Sequence, residues 1–215
     1  MKQSLILFFI LLANSCFFAQ ENWTLKKDEN GIKVYTRKTA DSDIRELKAV
    51  FYIKAPLKTL VAVIDDWDNY PEWVYRCGKS SSLKKISETE GIHYQTVTAP
   101  WPVQNRDFIV NIKFTQDEKT GAITLLSTSK PDYIPVDDES IRVKKINSHW
   151  YLKPLKDGTV EVINQILVDP GGDIPVWLVN LAAVEGPYET MLHFKEMIKK
   201  KKYIDAKVPF VKESQ

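Results

Sequence analysis

The sequence predicts an α+β domain, a curved antiparallel sheet wrapped around a long C-terminal α-helix. Three observations carry that prediction. Short stretches of alternating apolar and polar residues, separated by turn residues, fill most of the chain up to Asp169. One short helical pattern, Leu57 to Asp66, interrupts them. A broad apolar pattern of helical spacing follows Gly171-Gly172.

Trp23-Thr24-Leu25 and Ile32-Lys33-Val34-Tyr35-Thr36 flank Gly31, the pattern of a hairpin. Leu47, Ala49, Phe51 and Ile53 alternate with Lys48, Val50, Tyr52 and Lys54, so one face of that strand turns inward. Pro56 opens the short helix, with Leu57, Leu60, Val61 and Ile64 along one side. The aromatic-rich stretch Trp67 to Gly78 reads as a turn region capping one end of the sheet. A meander follows, with strands expected at 81–87, 92–99, 107–115, 122–129, 141–152 and 159–169. Gly91, Gly121, Pro131-Asp132 and Asp157-Gly158 mark its reversals. One helix is expected from about Ile174 to Lys201, kinked at Gly186-Pro187. An internal proline removes a backbone donor and collides with the preceding turn. A single domain is expected over residues 21–205, followed by a tail at 206–215.

With 215 residues, 44% hydrophobic and 27% charged, the chain can bury a core or enclose a sizeable cavity. A formal net charge of +2 gives no reason to expect nucleic acid. The concentrated run Lys199 to Lys202 reads as a solvated helix end, where cations suit the dipole. Attraction to an anionic membrane surface is the alternative.

Lys2 precedes the apolar run Leu5 to Ala13, the pattern of a signal peptide over residues 1–20. The run is too short to span a bilayer as a helix. Export to the periplasm or the medium is therefore expected. Cys16, preceded by Ala13-Asn14-Ser15, resembles a loose lipoprotein box, so a membrane-anchored lipoprotein is the alternative. Once the signal is removed Cys77 stands alone, which leaves no internal disulfide and no cysteine-rich zinc site.

No catalytic pattern emerges. Gly78-Lys79-Ser80 has Trp73 where a phosphate loop needs a glycine. Asp65, Asp66, Asp68 and Glu72 lack the spacing of a calcium loop. His93, His149 and His193 are far apart, with no HExxH or GxSxG pattern. Catalytic residues, metal ligands and cofactors are accordingly not expected.

The inward rows are more informative. Phe108, Val110, Ile112 and Phe114 share one face of their strand, and Val160, Val162, Asn164, Ile166 and Val168 share one face of theirs. Either a dry core or a hollow would use such rows. A buried amide left unpaired costs about 1–3 kcal/mol, so Asn164 needs a backbone, water or ligand partner. His93 and Gln95 share a face and could serve similarly, with surface exposure the alternative. In the last helix Val176, Trp177, Leu178, Leu181, Val184, Tyr188, Met191, Leu192 and Phe194 form a broad apolar arc. Core packing and a lid over a cavity explain that arc equally.

Two blocks, Ala99-Pro100-Trp101-Pro102-Val103-Gln104-Asn105-Arg106-Asp107-Phe108 and Asp169-Pro170-Gly171-Gly172-Asp173-Ile174-Pro175, resemble the START family of lipid-transfer domains. The resemblance runs from about Trp23 to Lys200 and includes Gly31 to Tyr35, Trp67 to Trp73, Val179-Asn180 and Pro187. It implies a helix-grip fold enclosing one sterol, phospholipid, ceramide or other hydrophobe, with the C-terminal helix as a movable lid. It implies structural roles for Arg106, Asp107, Asp169, Gly171 and Gly172. It also implies a cavity and lid lined by Phe51, His93, Gln95, Phe108, Val110, Ile112, Asn164, Ile166, Trp177, Leu178, Leu181 and Met191. The row Phe108 to Phe114 lacks the basic residue that some sterol-binding members carry there, which weakens a sterol-specific reading.

The expectation is non-catalytic binding or transfer of one hydrophobic ligand by a monomer that touches membranes transiently. Gly171-Gly172 and Gly186-Pro187 would be its hinge points. The rival is a cyclase- or hydrolase-like enzyme on the same scaffold, which would need titratable groups inside the cavity. A packed interaction module without ligand is a third possibility.

Overall fold

Asn30 and Gly31 both adopt positive φ, 51° and 71°, forming a two-residue turn that matches the right-handed twist of its strands. They join β1 (Thr24–Glu29) to β2 (Ile32–Thr39), the hairpin read from the sequence. The structure is a computed structural model that describes residues 23–40, 42–136 and 138–213. The expected signal segment 1–20, with Cys16, lies outside the described residues.

β3 (Ser42–Ile53) leads into α1 (Leu57–Asp65) and a 3-10 turn at Trp67–Glu72. The meander continues through β4 (Cys77–Lys85), β5 (Glu90–Val97), β6 (Asn105–Gln116) and β7 (Ile123–Ser129). It ends with β8 (Ser140–Arg142), β9 (Lys145–Pro154) and β10 (Val160–Asp169). The sheet order is β1-β2-β3-β10-β9-β7-β6-β5-β4, with β10 returning between β3 and β9. Neighbours on this path are antiparallel, whereas β8 pairs in parallel with the start of β6. Both edge strands carry lysines and β4 is bulged twice, which blunts pairing with another sheet.

The strand expected over 141–152 is thus two strands. Arg142 is buried against Asp107, which draws 140–142 alongside β6, while β9 pairs with β7 and β10. One continuous strand could not serve both partners.

The terminal helix is also divided, into α2 (Val176–Ala182), α3 (Glu185–Met197) and α4 (Lys201–Ile204). The break falls at Ala183-Val184 and not at Gly186-Pro187. Pro187 is the third residue of α3, where a missing N–H costs little. Its ring faces the carbonyl four residues back, that of Ala183, and the helical ladder stops there. In the basic run Lys199 pairs with Glu196 at 2.7 Å and Lys200 with Glu72 at 2.5 Å. Lys201 pairs with Asp205 and Lys202 with Asp66, so each of the four lysines has its own carboxylate.

Residues 206–213 form a strap across one end of the sheet. Phe210 packs on Phe114 with ring centroids 5.5 Å apart, and Gln116 exchanges two hydrogen bonds with the backbone of Lys212. The Glu213 carboxylate accepts the N–H groups of Leu57 and Lys58 at 3.1 and 2.9 Å. It thereby caps α1, whose own N-cap residue, Pro56, has no side chain to do so.

Candidate functional site

Strand register sets which side chains line the concave face. Val34, Ala49, Asn164, Trp150, Leu125 and Phe114 stand side by side across β2, β3, β10, β9, β7 and β6. One step toward the sheet's end Ile32, Phe51, Val162, Leu152 and Ile123 form a parallel row. α3 closes this half: Tyr188, Met191, Phe194 and Met197 are buried, and Phe194 touches Phe51, Trp73 and Trp150 at 6.1, 5.4 and 5.4 Å between ring centroids. Phe51 and Met191, expected to line the cavity, therefore belong to a dry core. Val110 and Ile112 are equally buried in it.

The other half differs. Thr36, Leu47, Ile166, Ser148, Ser127 and Ile112 make the next row, in register across β2, β3, β10, β9, β7 and β6. Leu47, Ile166 and Ser127 are only half-buried although they lie within the sheet, and so are Val168 and Phe108. Protein interiors leave few gaps, so these apolar side chains stand out as incompletely covered by the rest of the chain. α2 packs on β3 beside this half, and Asn180 ties it there by accepting the Arg45 N–H at 3.0 Å and donating to the Asp43 carbonyl at 3.3 Å.

Polar groups interrupt the apolar lining. Asn164 is buried and donates to the His149 carbonyl across 3.4 Å, longer than an ordinary amide hydrogen bond. The Thr36 hydroxyl, 1% exposed, has no partner. His93 and Gln95 point inward and are buried, which decides against surface exposure. His93 stacks on Trp67, with centroids 4.4 Å apart, and its Nδ1 is unpartnered. Burial outweighs the nearby Asp68 charge and pushes the imidazole down to about 4, so it is neutral near pH 7. His93 also lines a groove of about 390 Å³ between α1, β5 and the C-terminal strap, open to water and flanked by Asp65, Asp66 and Lys202. A hollow of about 530 Å³ at the β6–β7 turn, around Asp117 and Thr120, lies away from the concave face.

Two buried arginines hold the loops at the open end. Arg106 donates to the carbonyls of Gln104, Pro170 (3.2 Å) and Gly171 (3.0 Å). It ties the 98–104 loop to the joint before α2. Burial lowers its pKa. At that joint Asp169 accepts the Gly171 N–H at 3.0 Å, and Gly171 and Gly172 take φ of 62° and 70°. A Cβ on Gly172 would lie 2.9 Å from Ile141 and 3.2 Å from the Arg106 guanidinium, so only glycine fits. Asp107 receives Arg142 in a two-pronged pair, both bonds 2.9 Å. Arg142 donates further to the Pro131, Ile134 and Pro135 carbonyls and so fixes the 131–135 loop. Sequence reasoning missed Arg142. A basic residue amid apolar neighbours was its only signal, and its partner lies 35 positions away.

Residues 14–202 match the START domain. The chain belongs to the START domain family. This START domain is 32% identical over 181 residues to an uncharacterized protein of Pseudomonas aeruginosa, covering 84% of this chain and 89% of that one. Bovine phosphatidylcholine transfer protein is 27% identical over 173 residues, covering 76% and 78% of the two chains. The crystal structure of a STAR-related lipid transfer protein from Xanthomonas axonopodis superposes with a TM-score of 0.77 at 35% identity, covering 83% of this chain and 99% of that one. Human STARD10 shares the fold, with a TM-score of 0.72 at 18% identity over 86% and 76% of the two chains.

Trp177, expected to line the cavity, is instead 67% exposed. Val176 and Trp177, in the first turn of α2, both meet water. The side chains of Leu178 and Leu181 lie outside the described residues. Trp101 is 93% exposed, and Tyr133, Val136 and Val176 are exposed as well. Trp101 and Tyr133 belong to the loops that Arg106 and Arg142 hold, and Val136 and Val176 lie close to them in the chain. Among the described residues no cluster of His, Cys, Asp or Glu could hold a metal, and no helix is long and apolar enough to cross a membrane.

Proposed function

We propose that this START domain binds and carries one lipid or similar hydrophobe between its concave sheet and α2, without chemical change to the cargo. The half-buried apolar row Leu47, Ile166, Val168 and Phe108 carries the reading, because a guest molecule against it would complete its burial. Each methylene withdrawn from water contributes roughly 0.8 kcal/mol, so one long acyl chain supplies ample driving force. Opening involves α2, swinging on Gly171-Gly172 and on the break at Ala183-Val184. The exposed Trp101, Val136 and Trp177 meet the membrane during loading, since aromatic side chains favour the bilayer interface. Export through the 1–20 segment and action as a monomer complete the proposal, with lipid anchoring through Cys16 the alternative to a released protein.

The test is extraction. Delipidated protein is incubated with vesicles of mixed fluorescent lipids, separated from them, and weighed by native mass spectrometry. One lipid per chain is expected. Failure to extract any lipid class would refute the proposal.

A further inference from the structure

We infer that the hollow selects an uncharged lipid, one whose polar end is a hydroxyl, ester or amide, and rejects lipids whose ionised headgroup must enter with the chains. The inference rests on the lipid-binding reading above and narrows it to a ligand class.

The distribution of charge on the concave face carries the argument. The paired inward rows through β3, β10, β9, β7 and β6 contain no Lys, Arg, Asp or Glu among the described residues. Charge of inward parity begins at the rim, with Lys38 on β2, with Arg45 on β3 beyond the last β3–β10 pair of Leu47 with Ile166, and with Arg106 on β6 beyond Phe108. The buried cations nearest the open end are already occupied: Arg106 by three backbone carbonyls, Arg142 by Asp107 and by loop carbonyls. His93 is neutral near pH 7. An ionised phosphate drawn past that rim, to the depth of Leu47 and Ile166, would therefore meet no counter-charge, and burying an unpaired charge costs far more than neutral hydrogen bonds return.

What the lining does offer is neutral hydrogen bonding. The Thr36 hydroxyl has no partner, Asn164 makes one long bond, and Ser148 sits in register with Ile166. These groups lie where the dry half of the sheet meets the open half. That is where the inner end of a guest would stop. They match a hydroxyl or carbonyl at that depth, with the chains lying along Leu47, Ile166 and Val168 toward α2.

The experiment uses the full chain, delipidated, and vesicles containing labelled diacylglycerol, phosphatidylcholine or phosphatidylglycerol with identical acyl chains. Diacylglycerol is expected to bind at least about tenfold more tightly than either phospholipid, a difference of about 1.4 kcal/mol. Equal or tighter binding of a phospholipid would overturn the inference while leaving lipid carriage intact. Extraction of none of the three would defeat carriage itself. Two variants locate the polar end, with a pyrenyl alkane as a probe that has no headgroup. Thr36→Val and Asn164→Leu are each expected to weaken diacylglycerol binding about fivefold and to leave the pyrenyl alkane unchanged. No loss for diacylglycerol in either variant, or equal losses for both probes, would remove these residues from the role and overturn the inference.

Discussion

Replacing His93 by Phe keeps an aromatic ring stacked on Trp67 but removes the chain's most strongly displaced imidazole. Burial holds the native pKa at about 4, whereas an unfolded histidine titrates near 6.5. The sign follows from the proton balance. Above pH 6.5 the side chain is neutral in both states and contributes no pH dependence. Between 6.5 and about 4 the unfolded chain binds a proton that the native fold excludes, so stability falls as pH falls. Below about 4 both states are protonated and the loss levels off. Linkage of these two values gives a deficit of about 2 kcal/mol at pH 5 and about 3 kcal/mol at pH 4. Urea unfolding followed by tryptophan fluorescence across this range measures it in the native protein and in His93→Phe. The variant is expected to show a flatter profile by that amount, whatever its absolute stability at pH 7. Parallel profiles would mean that His93 is protonated in the fold and that the imidazole is not desolvated.

Three further outcomes are expected. Arg106→Met leaves the carbonyls of Gln104, Pro170 and Gly171 without their donor, which should cost about 2 kcal/mol and lower the melting midpoint by roughly 4–8 °C. Limited proteolysis should then cut within 170–175, and an unchanged midpoint with no new cut would contradict the latch. Glu213→Ala removes the cap of α1 at a cost of about 1 kcal/mol. Amide exchange at Leu57 and Lys58 should accelerate, and equal protection in both proteins would refute the capping role. In the native protein the amides of α2 should exchange faster than those of α3, and uniform protection would argue against a separate moving segment.

Strand parity makes the inner rows legible in the amino-acid sequence itself. Phe108 to Phe114 and Val160 to Val168 alternate well enough to mark the inward face of each, although Ile109 is buried on the other face of β6. Parity does not separate filled space from empty space. Phe51 and Ile166 look alike in sequence, yet one is sealed against Phe194 and the other is only partly covered. That difference depends on where α2 ends and α3 begins. The break lies upstream of the expected kink because Pro187 acts on the carbonyl four residues before it. Trp177 departs from expectation for a related reason: an apolar arc does not tell which of its turns lies over the sheet. Thr36 gave no signal, since threonine is an ordinary strand residue and its orphan hydroxyl exists only through tertiary packing.

The two helices over the concave face are held unequally, and this gives the proposed lid its physical basis. α3 buries Tyr188, Met191, Phe194 and Met197 in the aromatic core. It is pinned further where Asn30 donates to the Tyr188 hydroxyl at 2.6 Å, Lys195 to the Asn30 carbonyl at 2.9 Å, and the Tyr75 N–H to Thr190 at 3.1 Å. Releasing α3 would expose that core and amounts to unfolding. For α2 the described polar anchors are the two bonds of Asn180, and Val176 and Trp177 already face water. Among the described residues its displacement therefore breaks few polar contacts. Because the helical ladder stops at Ala183-Val184, α2 can leave without dragging α3 with it. The dry half of the sheet thus supplies the stability that lets the other half stay incompletely packed.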